Sequence, residues 1–209
     1  MFNNADEVLR YIKDENVKFV DVRFTDLPGV QQHFNVPAQS VGEDFFTEGQ
    51  MFDGSSIRGF QAINESDMKL IPDVTSAFVD PFRAEKTIAV NFSIVDPFTD
   101  EPYSRDPRQV AAKAEAYLKS TGIADTAFFA PEAEFYIFDD VRYEVSQNAS
   151  FYAVDSEEGA WNTGRVEEGG NLANKTPYKG GYFPVSPVDK TADLRDDITL
   201  KLIEAGFIL

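Results

Sequence analysis

VDVRFTDLPGVQQHFNV, residues Val20–Val36, has the pattern of a β-hairpin and is the strongest local signal in this chain. Apolar and polar side chains alternate on both sides of Pro28-Gly29, a dipeptide that is common in tight turns. A period of two places the apolar side chains on one face of a sheet and the polar ones on the other. His33, the only histidine, falls on the polar face. We therefore predict two paired strands that bury one face.

The residues around this hairpin complete a small α+β sheet domain. A capping box at Asn4–Glu7 opens a first helix, and a second capping box at Ser40–Glu43 opens a helix that ends at Gly49. The pattern then predicts an irregular segment at Met51–Asp67. Three strands follow it, at Met68–Ile71, Thr75–Val79 and Thr87–Val95. Because strands outnumber helices, we predict an α+β fold for residues 1–98, followed by a linker at 99–106.

The region after the linker, residues 107–209, is predicted to form the start of a second domain. Asp106 followed by proline predicts the cap of a helix that ends at Gly122. Further on, the pattern predicts a strand at 126–138, a glycine-rich loop at Asp155–Gly181 and a helix that Gly206 ends. Phe207–Leu209 have the apolar character of a buried strand cut short, so we expect the chain to be a fragment.

Two glutamates, Glu132 and Glu134, stand in the otherwise apolar and aromatic stretch FFAPEAEFYIF. In a strand they share one face, with Cα atoms about 6.6 Å apart at roughly 3.3 Å per residue. Such a pair can flank a reacting bond, coordinate two neighbouring divalent cations, or lie at a solvated sheet edge. Tyr136 and Phe138 continue the same face, which indicates shelter from water, and sheltered carboxylates repel each other unless cations neutralise them. We therefore predict a site for Mg²⁺ or Mn²⁺, which prefer oxygen ligands.

Two loops carry further candidate binding residues. MFDGSSI, residues 51–57, can present Asp53 and Ser56 to a ligand, although Asp-Gly-Ser is also ordinary turn sequence. KGGYFP, residues 179–184, places Tyr182 after a glycine pair that permits close approach of a ligand to the backbone. Plain loop geometry explains that glycine pair equally well, so both interpretations stay open for each loop.

Composition restricts the class of function. The 209 residues hold 36 acidic and 19 basic side chains, and the resulting net charge of −17 repels nucleic acid. Cysteine is absent, and a single histidine, His33, excludes a multi-histidine metal site within these residues and argues against a Ser-His-Asp triad. GGNLANKT, residues 169–176, mimics a phosphate-binding loop but has Asn174 where the pattern requires glycine, so we reject it.

The sequence also restricts the compartment. Its start lacks the basic and apolar regions of a signal peptide, and no run approaches about eighteen apolar residues. The absence of cysteine fits a reducing compartment. We therefore expect a cytoplasmic protein that does not span a membrane.

Five segments, taken in order, closely resemble the amino-terminal half of type I glutamine synthetases: FVDVRFTD, MFDGSSIRGF, NESDMKLIPD, APEAEFYIFD and YKGGYFPVSPVD. The resemblance runs essentially from end to end of the chain. It implies a small β-grasp domain, then a catalytic domain whose curved antiparallel sheet holds metal ions. It also implies that ATP drives the ligation of ammonia to glutamate through a γ-glutamyl phosphate, in a homo-oligomer of two stacked six-membered rings, a dodecamer.

The resemblance further implies roles for single residues. Glu132 matches a ligand of the Mg²⁺ or Mn²⁺ ion that holds the ATP phosphates, and Glu134 matches a ligand of the ion near the substrate glutamate. Asp53 matches an aspartate that binds ammonium and removes its proton, with Ser56 beside it. Tyr182 matches a tyrosine on a loop that closes over the ammonium site. In this family the loop of Asp53 reaches into the active site of the neighbouring subunit.

Two other functions are compatible with the same motifs. One is a related ligase that joins glutamate to a different amine, such as a polyamine, and the other is a non-catalytic truncated assembly module. The presence of Glu132, Glu134 and Asp53 favours an enzyme. Ala130 and Phe60 depart from the family pattern, since many relatives have glycine at the first position and some have tryptophan against the nucleotide at the second. The chain ends before the family's remaining metal ligands, so these residues alone should be inactive.

Overall fold

The computed structural model describes residues 2–162 and 175–208, and the chain divides into two units. The first unit comprises Met1–Phe128 with Lys201–Leu209, and the second comprises Phe129–Leu200. Both units contain helical and strand segments, which agrees with the predicted α+β class. The finer prediction of domain boundaries at 98 and 107 stays a prediction.

The first unit is built around a five-stranded sheet with the strand order β2-β1-β5-β4-β3. The strands are β1 (Phe19–Thr25), β2 (Gln31–Pro37), β3 (Gln50–Asp53), β4 (Asp67–Val79) and β5 (Thr87–Val95). β1 runs parallel to β5, and every other neighbouring pair in this sheet is antiparallel. Two helices, α1 (Ala5–Asp14) and α2 (Glu43–Thr47), contribute Val8 and Phe45 to the buried core.

The predicted hairpin is confirmed by strands β1 and β2. Val22 lies opposite Phe34, and Arg23 lies opposite His33 in the antiparallel register. The alternate valines of β1 are buried in the core, because a period of two directs them all to one face. At the turn, Gly29 has a φ of 91°, a conformation that glycine adopts without steric cost. His33 therefore lies on the polar face of the sheet, as predicted.

The two predicted capping boxes have different outcomes. The Oδ1 atom of Asn4 accepts a hydrogen bond from the backbone N–H of Glu7 at 2.9 Å, which confirms the cap of α1. The prediction for α2 is wrong, because Gly42 is its N-cap and no side chain caps it. Ser40 instead ends a short 3-10 turn, where its hydroxyl donates to the carbonyl of Pro37 at 2.8 Å. That bond engages the hydroxyl that the predicted cap required.

The segment Met51–Asp67, predicted to be irregular, contains most of strand β3. The two strands predicted after it form the single strand β4, with a shift of register between Asp73 and Phe78. At that shift, the Oδ1 atom of Asp73 accepts hydrogen bonds from the N–H and the hydroxyl of Thr75. A side-chain acceptor therefore satisfies the backbone where the ladder is interrupted.

Helix α3 (Pro107–Ser120) begins as predicted, with Asp106 as its N-cap and proline in its first turn. The helix ends before Gly122, which has a φ of 67°. The side chains of Val110 and Tyr117 on this helix are exposed. The sequence thus predicted where this helix begins and ends.

In the second unit, β6 (Asp140–Val145) and β7 (Ser150–Asp155) form an antiparallel hairpin that the sequence analysis did not predict. The predicted strand at 126–138 is wrong, because these residues have no regular secondary structure. A strand needs a neighbour that completes its backbone hydrogen bonds, and β6 and β7 pair with each other instead.

The last helix, α4 (Ala192–Glu204), ends as predicted at Gly206, whose φ is 94°. The N–H of Phe207 donates to the carbonyl of Leu202 at 3.0 Å, which is the outer bond of a Schellman motif. Phe207 and Ile208 form no strand, contrary to the prediction for this end, and Leu209 lies outside the described residues. The predicted glycine-rich loop contains turns before and after residues 163–174. Residues 163–174 lie outside the described part of the chain, and so does most of the rejected phosphate-loop mimic at residues 169–176.

Candidate functional site

Asp53 stands at the end of β3, an edge strand of the five-stranded sheet, and begins a 3-10 turn at Gly54–Ser56. Its Oδ1 atom accepts hydrogen bonds from the backbone N–H of Ser55 at 2.8 Å and from the Ser55 hydroxyl at 2.6 Å. Its Oδ2 atom accepts from the hydroxyl of Ser56 at 3.1 Å. The structure therefore brings Asp53 and Ser56 together, with Ser55 as a third member of the cluster.

Gly54 fixes this loop to the sheet. Its N–H donates to the carbonyl of Ser66 at 2.7 Å, and the residue is buried. A Cβ atom added at Gly54 would stand 2.4 Å from the sulfur of Met68 and 3.2 Å from the carbonyl oxygen of Ser66. Since Met68 is itself buried in the core, only glycine fits without a shift of its neighbours.

The hydrogen bonds at this turn set the charge state of the site. Donation by the Ser55 hydroxyl is the largest cause that lowers the pKa of Asp53 below its ordinary value, followed by donation from the Ser55 N–H. Both bonds favour the ionised carboxylate. Asp53 is exposed, so this anion is open to a cationic ligand.

A second anchor holds the same loop further along the chain. The Nη1 group of Arg105 donates to the carbonyls of Gly59 and Phe60, both at 2.6 Å. Phe60 is buried and lies edge-on to the ring of Tyr103, with centroids 5.3 Å apart. The ring of Phe60 therefore packs within the core of the first unit.

Glu132 and Glu134 lie in a segment of the second unit without regular secondary structure, and both are exposed. The rings of Tyr136 and Phe138 stack at 5.8 Å, so the neighbouring aromatics do share one side of the backbone. The expectation that they shelter the glutamates is wrong here, because Tyr136 is 87% exposed. Among residues 129–162 and 175–200, the described part of the second unit, no strand pairs with this segment.

The glutamate pair suits a hard cation by its chemistry alone. Carboxylate oxygens are the ligands that Mg²⁺ and Mn²⁺ prefer, and Mg²⁺ commonly keeps several waters while one or two carboxylates bind it. Within residues 2–162 and 175–208, however, no group of three or more acidic or histidine side chains converges. Glu132 and Glu134 thus fit part of a metal site and do not complete one.

Tyr182 lies on the loop that connects residue 177 to residue 184. Gly180 donates its N–H to the carbonyl of Pro177 at 2.8 Å, and Lys179 adopts a φ of 57°, so the loop makes a tight turn. The ring of Tyr182 is 86% exposed and packs edge-to-face with the ring of Phe183, with centroids 4.5 Å apart. An exposed ring at a turn is available for contact with a ligand or another chain.

The candidate residues therefore fall into two sets. Asp53 and Ser56 belong to the first unit, and Glu132, Glu134 and Tyr182 belong to the second. The sequence analysis missed Ser55, although an aspartate whose side chain accepts the N–H two residues later is a common turn pattern and could have identified it. Across the described residues, no helix is both long and apolar enough to cross a membrane.

Comparison with known families gives two matches that together cover most of the chain. Residues 16–97 match the family described as "Glutamine synthetase, beta-Grasp domain", and residues 104–209 match "Glutamine synthetase, catalytic domain". The β-grasp match covers all five strands of the first sheet.

Individual relatives agree with the family matches. Glutamine synthetase of Frankia alni is 63% identical over 206 residues, covering 99% of this chain and 44% of the relative. Glutamine synthetase of Streptomyces coelicolor is 64% identical over 206 residues, covering 99% of this chain and 43% of the relative. The chain thus spans somewhat less than half the length of these relatives.

A solved structure supports the fold. The cryo-EM structure of Plasmodium falciparum glutamine synthetase matches with a TM-score of 0.80 over 97% of this chain and 40% of that chain. The identity is 22%, so this likeness concerns the fold alone.

Proposed function

Because the chain belongs to the glutamine synthetase family, we propose that the whole protein joins ammonia to glutamate and consumes ATP in doing so. Phosphoryl transfer from ATP to the glutamate side chain gives ADP and γ-glutamyl phosphate. Ammonia then attacks the activated carbonyl, phosphate leaves, and glutamine forms. The relatives bear the name of this activity, and the present chain supplies two sets of candidate residues for it.

Asp53 is the proposed binding site for ammonium. Ammonium is not a nucleophile, so a positioned carboxylate has to bind the cation and then accept a proton. The three hydrogen bonds from Ser55 and Ser56 support the first task, since they hold the carboxylate in place and lower its pKa. A lowered pKa also makes Asp53 a weak base, so the transfer of a proton from ammonium to Asp53 is unfavourable by itself. The attack that follows, in which the C–N bond forms, consumes the ammonia and so drives this transfer. The prebuilt geometry of this turn is the observation that carries the proposal.

Glu132 and Glu134 are the proposed ligands of two Mg²⁺ or Mn²⁺ ions, Glu132 for the ion that holds the ATP phosphates and Glu134 for the ion near the substrate glutamate. When bound, such ions neutralise and align the γ-phosphate for transfer. The two glutamates are separated by one residue, so their carboxylates are close enough along the chain to reach neighbouring ions. Their exposure leaves their oxygens open to a cation and to further ligands.

The proposed assembly is a homo-oligomer, a dodecamer of two stacked rings, in which the loop of Asp53 completes the site of a neighbouring subunit. Tyr182 is proposed to cover the ammonium from its own exposed loop. Asp53 stands on an edge strand at the surface of the first unit, which supports a role toward a second chain. We propose a cytoplasmic location, in keeping with the soluble substrates.

The test uses the whole protein and follows glutamine formation. Glu134→Ala should abolish most turnover and weaken Mn²⁺ binding in calorimetry, while Glu144→Ala, an exposed glutamate on β6, should leave both unchanged. Near-normal turnover of Glu134→Ala would contradict the assignment. Offering primary amines in place of ammonia in the same assay tests the choice of amine.

A subunit-mixing experiment tests the shared site. Asp53→Ala subunits and Glu134→Ala subunits should each be inactive alone, and mixed rings should recover part of the activity because some sites receive both intact residues. Mixed rings that are verified by mass spectrometry and still show no recovery would contradict a site built from two subunits.

A further inference from the structure

A groove of about 270 Å³ lies on the polar face of the five-stranded sheet, wholly within the first unit. None of the residues proposed for catalysis lines it. The residues that line it are Asp21, Arg23, Gln31, His33 and Arg83, and we call it the arginine groove. The proposed ligase reaction gives the residues of this groove no role.

Arg23 is held rigidly in this groove. Its Nε atom donates to the Oδ2 atom of Asp21 at 2.8 Å, and its Nη2 atom donates to the Oδ2 atom of Asp80 at 2.7 Å. The guanidinium carbon also lies 5.5 Å from the ring centroid of Phe78. Two ion pairs and an aromatic face therefore fix the plane of the guanidinium before any ligand arrives.

Two carboxylates, Asp21 in the groove lining and Asp80 behind Arg23, already have a donor at each oxygen. Asp21 is 1% exposed, and its Oδ1 atom lies 2.7 Å from the Nδ1 atom of His33 while its Oδ2 atom accepts from Arg23. The Oδ1 atom of Asp80 accepts from the backbone N–H of Phe82 at 3.0 Å. These two carboxylates are also buried or nearly so, the side chain of Asp80 being 10% exposed, and therefore, unlike the exposed Asp53, they are not open to a cation.

Hydrogen-bond donors, in contrast, remain unused. Among the residues that the structure describes, the Nη1 group of Arg23 and the whole guanidinium of Arg83 have no side-chain or backbone partner. The Nε2 atom of His33 also faces no partner there, and the side chain is 52% exposed. A concave site with spare donors and engaged acceptors is suited to an anion.

We propose that the arginine groove binds a small oxyanion, a carboxylate or phosphoryl group, between Arg83 and Arg23 with His33 at the rim. The planar fork of an arginine matches the paired oxygens of both groups. The volume is below the roughly 300–1,000 Å³ of pockets for larger ligands, so the groove fits a ligand of few atoms. The net charge of −17 repels anions from the protein as a whole, so binding here depends on this local set of donors.

The experiment uses the whole protein and takes His33 as the reporter, because this side chain lines the arginine groove. Its imidazole signal in an NMR spectrum, assigned by its loss in His33→Gln, is followed during titration with sodium phosphate and, separately, with sodium succinate. Sodium chloride at matched ionic strength is the reference. We expect a saturable shift with at least one oxyanion and none with chloride, and the preferred oxyanion identifies the phosphoryl or the carboxylate class.

Variants locate the binding. Arg83→Ala should weaken oxyanion affinity by roughly tenfold or more, since each charge-assisted hydrogen bond is stronger than a neutral one. Arg10→Ala removes the same charge from an exposed position of α1 and should leave the affinity unchanged. The proposal is overturned if neither oxyanion gives a saturable shift, or if Arg83→Ala and Arg10→Ala bind alike. Because the readout is binding to the first unit, failure here leaves the proposed ligase activity unaffected.

Discussion

Asp106 accepts a hydrogen bond from the backbone N–H of Ile94 at 2.8 Å through Oδ2, while its Oδ1 atom accepts from the N–H of Arg108 at 2.9 Å. One fully buried carboxylate therefore joins the end of β5 to the start of α3. Burial is the largest cause that acts on this group, and it raises the pKa of Asp106 above its ordinary value. Both oxygens are needed, because the two donors lie on different elements.

The first prediction concerns this connection. Asp106→Ala should lower the free energy of unfolding by about 2–4 kcal/mol, because it removes a helix cap and leaves the buried N–H of Ile94 without an acceptor. Asp106→Asn should also destabilise, since an amide presents one acceptor where two are used. Urea unfolding measures the effect, and Asp125→Ala, at an exposed position, is the matched control. Equal stability of the buried and exposed variants would contradict the prediction.

The second prediction concerns the anchor beneath Asp53. Gly54→Ala should lower the free energy of unfolding by about 1–3 kcal/mol, because the added methyl group overlaps the side chain of Met68. Met68→Ala should destabilise by creating a cavity. The double variant should lose less free energy of unfolding than the sum of the two single losses. The shorter side chain at position 68 removes the overlap with the new methyl group, and that methyl group fills part of the cavity. Strict additivity in urea unfolding would show that the two side chains do not meet.

The third prediction concerns the charge state of Asp53. Ser55→Ala removes the hydroxyl that contributes most to lowering the pKa of this carboxyl, so that pKa should rise toward the ordinary value of an aspartate. The pH titration of the Asp53 carboxyl carbon, followed by NMR, measures the change. Ser40→Ala removes a hydroxyl that is bonded to Pro37 and should leave the Asp53 titration in place. An unchanged titration in Ser55→Ala would contradict the prediction and assign the effect to the remaining donors, the N–H of Ser55 and the hydroxyl of Ser56.

The fourth prediction is a pH dependence in the second unit. Donation by Arg195, and then by the N–H of Thr191, lowers the pKa of Asp189. A carboxyl with a lowered folded pKa adds stability above its unfolded pKa, and that stability is lost as pH falls through the folded value. The difference in Tm between the parent chain and Asp189→Asn should therefore be widest near neutral pH and should narrow below about pH 4. Asp197→Asn, on the exposed side of α4, should show a small difference at every pH.

Elements with local signals were predicted from the sequence. The hairpin of β1 and β2, the cap at Asn4 and the stop at Gly206 depend on residues within a few positions of each other, so pattern and turn sequence suffice. The cap at Asp106 was also predicted. Its bond to Ile94 was not, because that contact joins residues twelve positions apart and depends on the sheet being formed.

The errors have two physical causes, a missing neighbouring strand and competition between local hydrogen bonds. Residues 126–138 have the composition and alternation of a strand, yet a strand exists only when a neighbour completes its hydrogen bonds, and a pattern cannot supply that neighbour. The aromatics beside Glu134 were expected to be covered for the same reason. At Ser40 two local bonds compete for one hydroxyl, and the 3-10 turn prevailed. For the candidate site, the pattern identified Asp53 and Ser56 and omitted Ser55, which makes the shorter bond.

The parallel pairing of β1 with β5 has a consequence for folding during synthesis. Phe19 lies opposite Thr87, a residue that leaves the ribosome 68 positions later, and β5 separates β1 from the remainder of the sheet. The hairpin is complete at Pro37, 50 positions before Thr87, so at translation rates of about 5–20 residues per second it waits roughly 2.5 to 10 s for its inner neighbour. Throughout that interval strand β1, with its valines, lacks the neighbouring strand β5. A nascent chain stalled before residue 87 should therefore bind chaperones that recognise apolar strands. A chain stalled well beyond residue 95 should not.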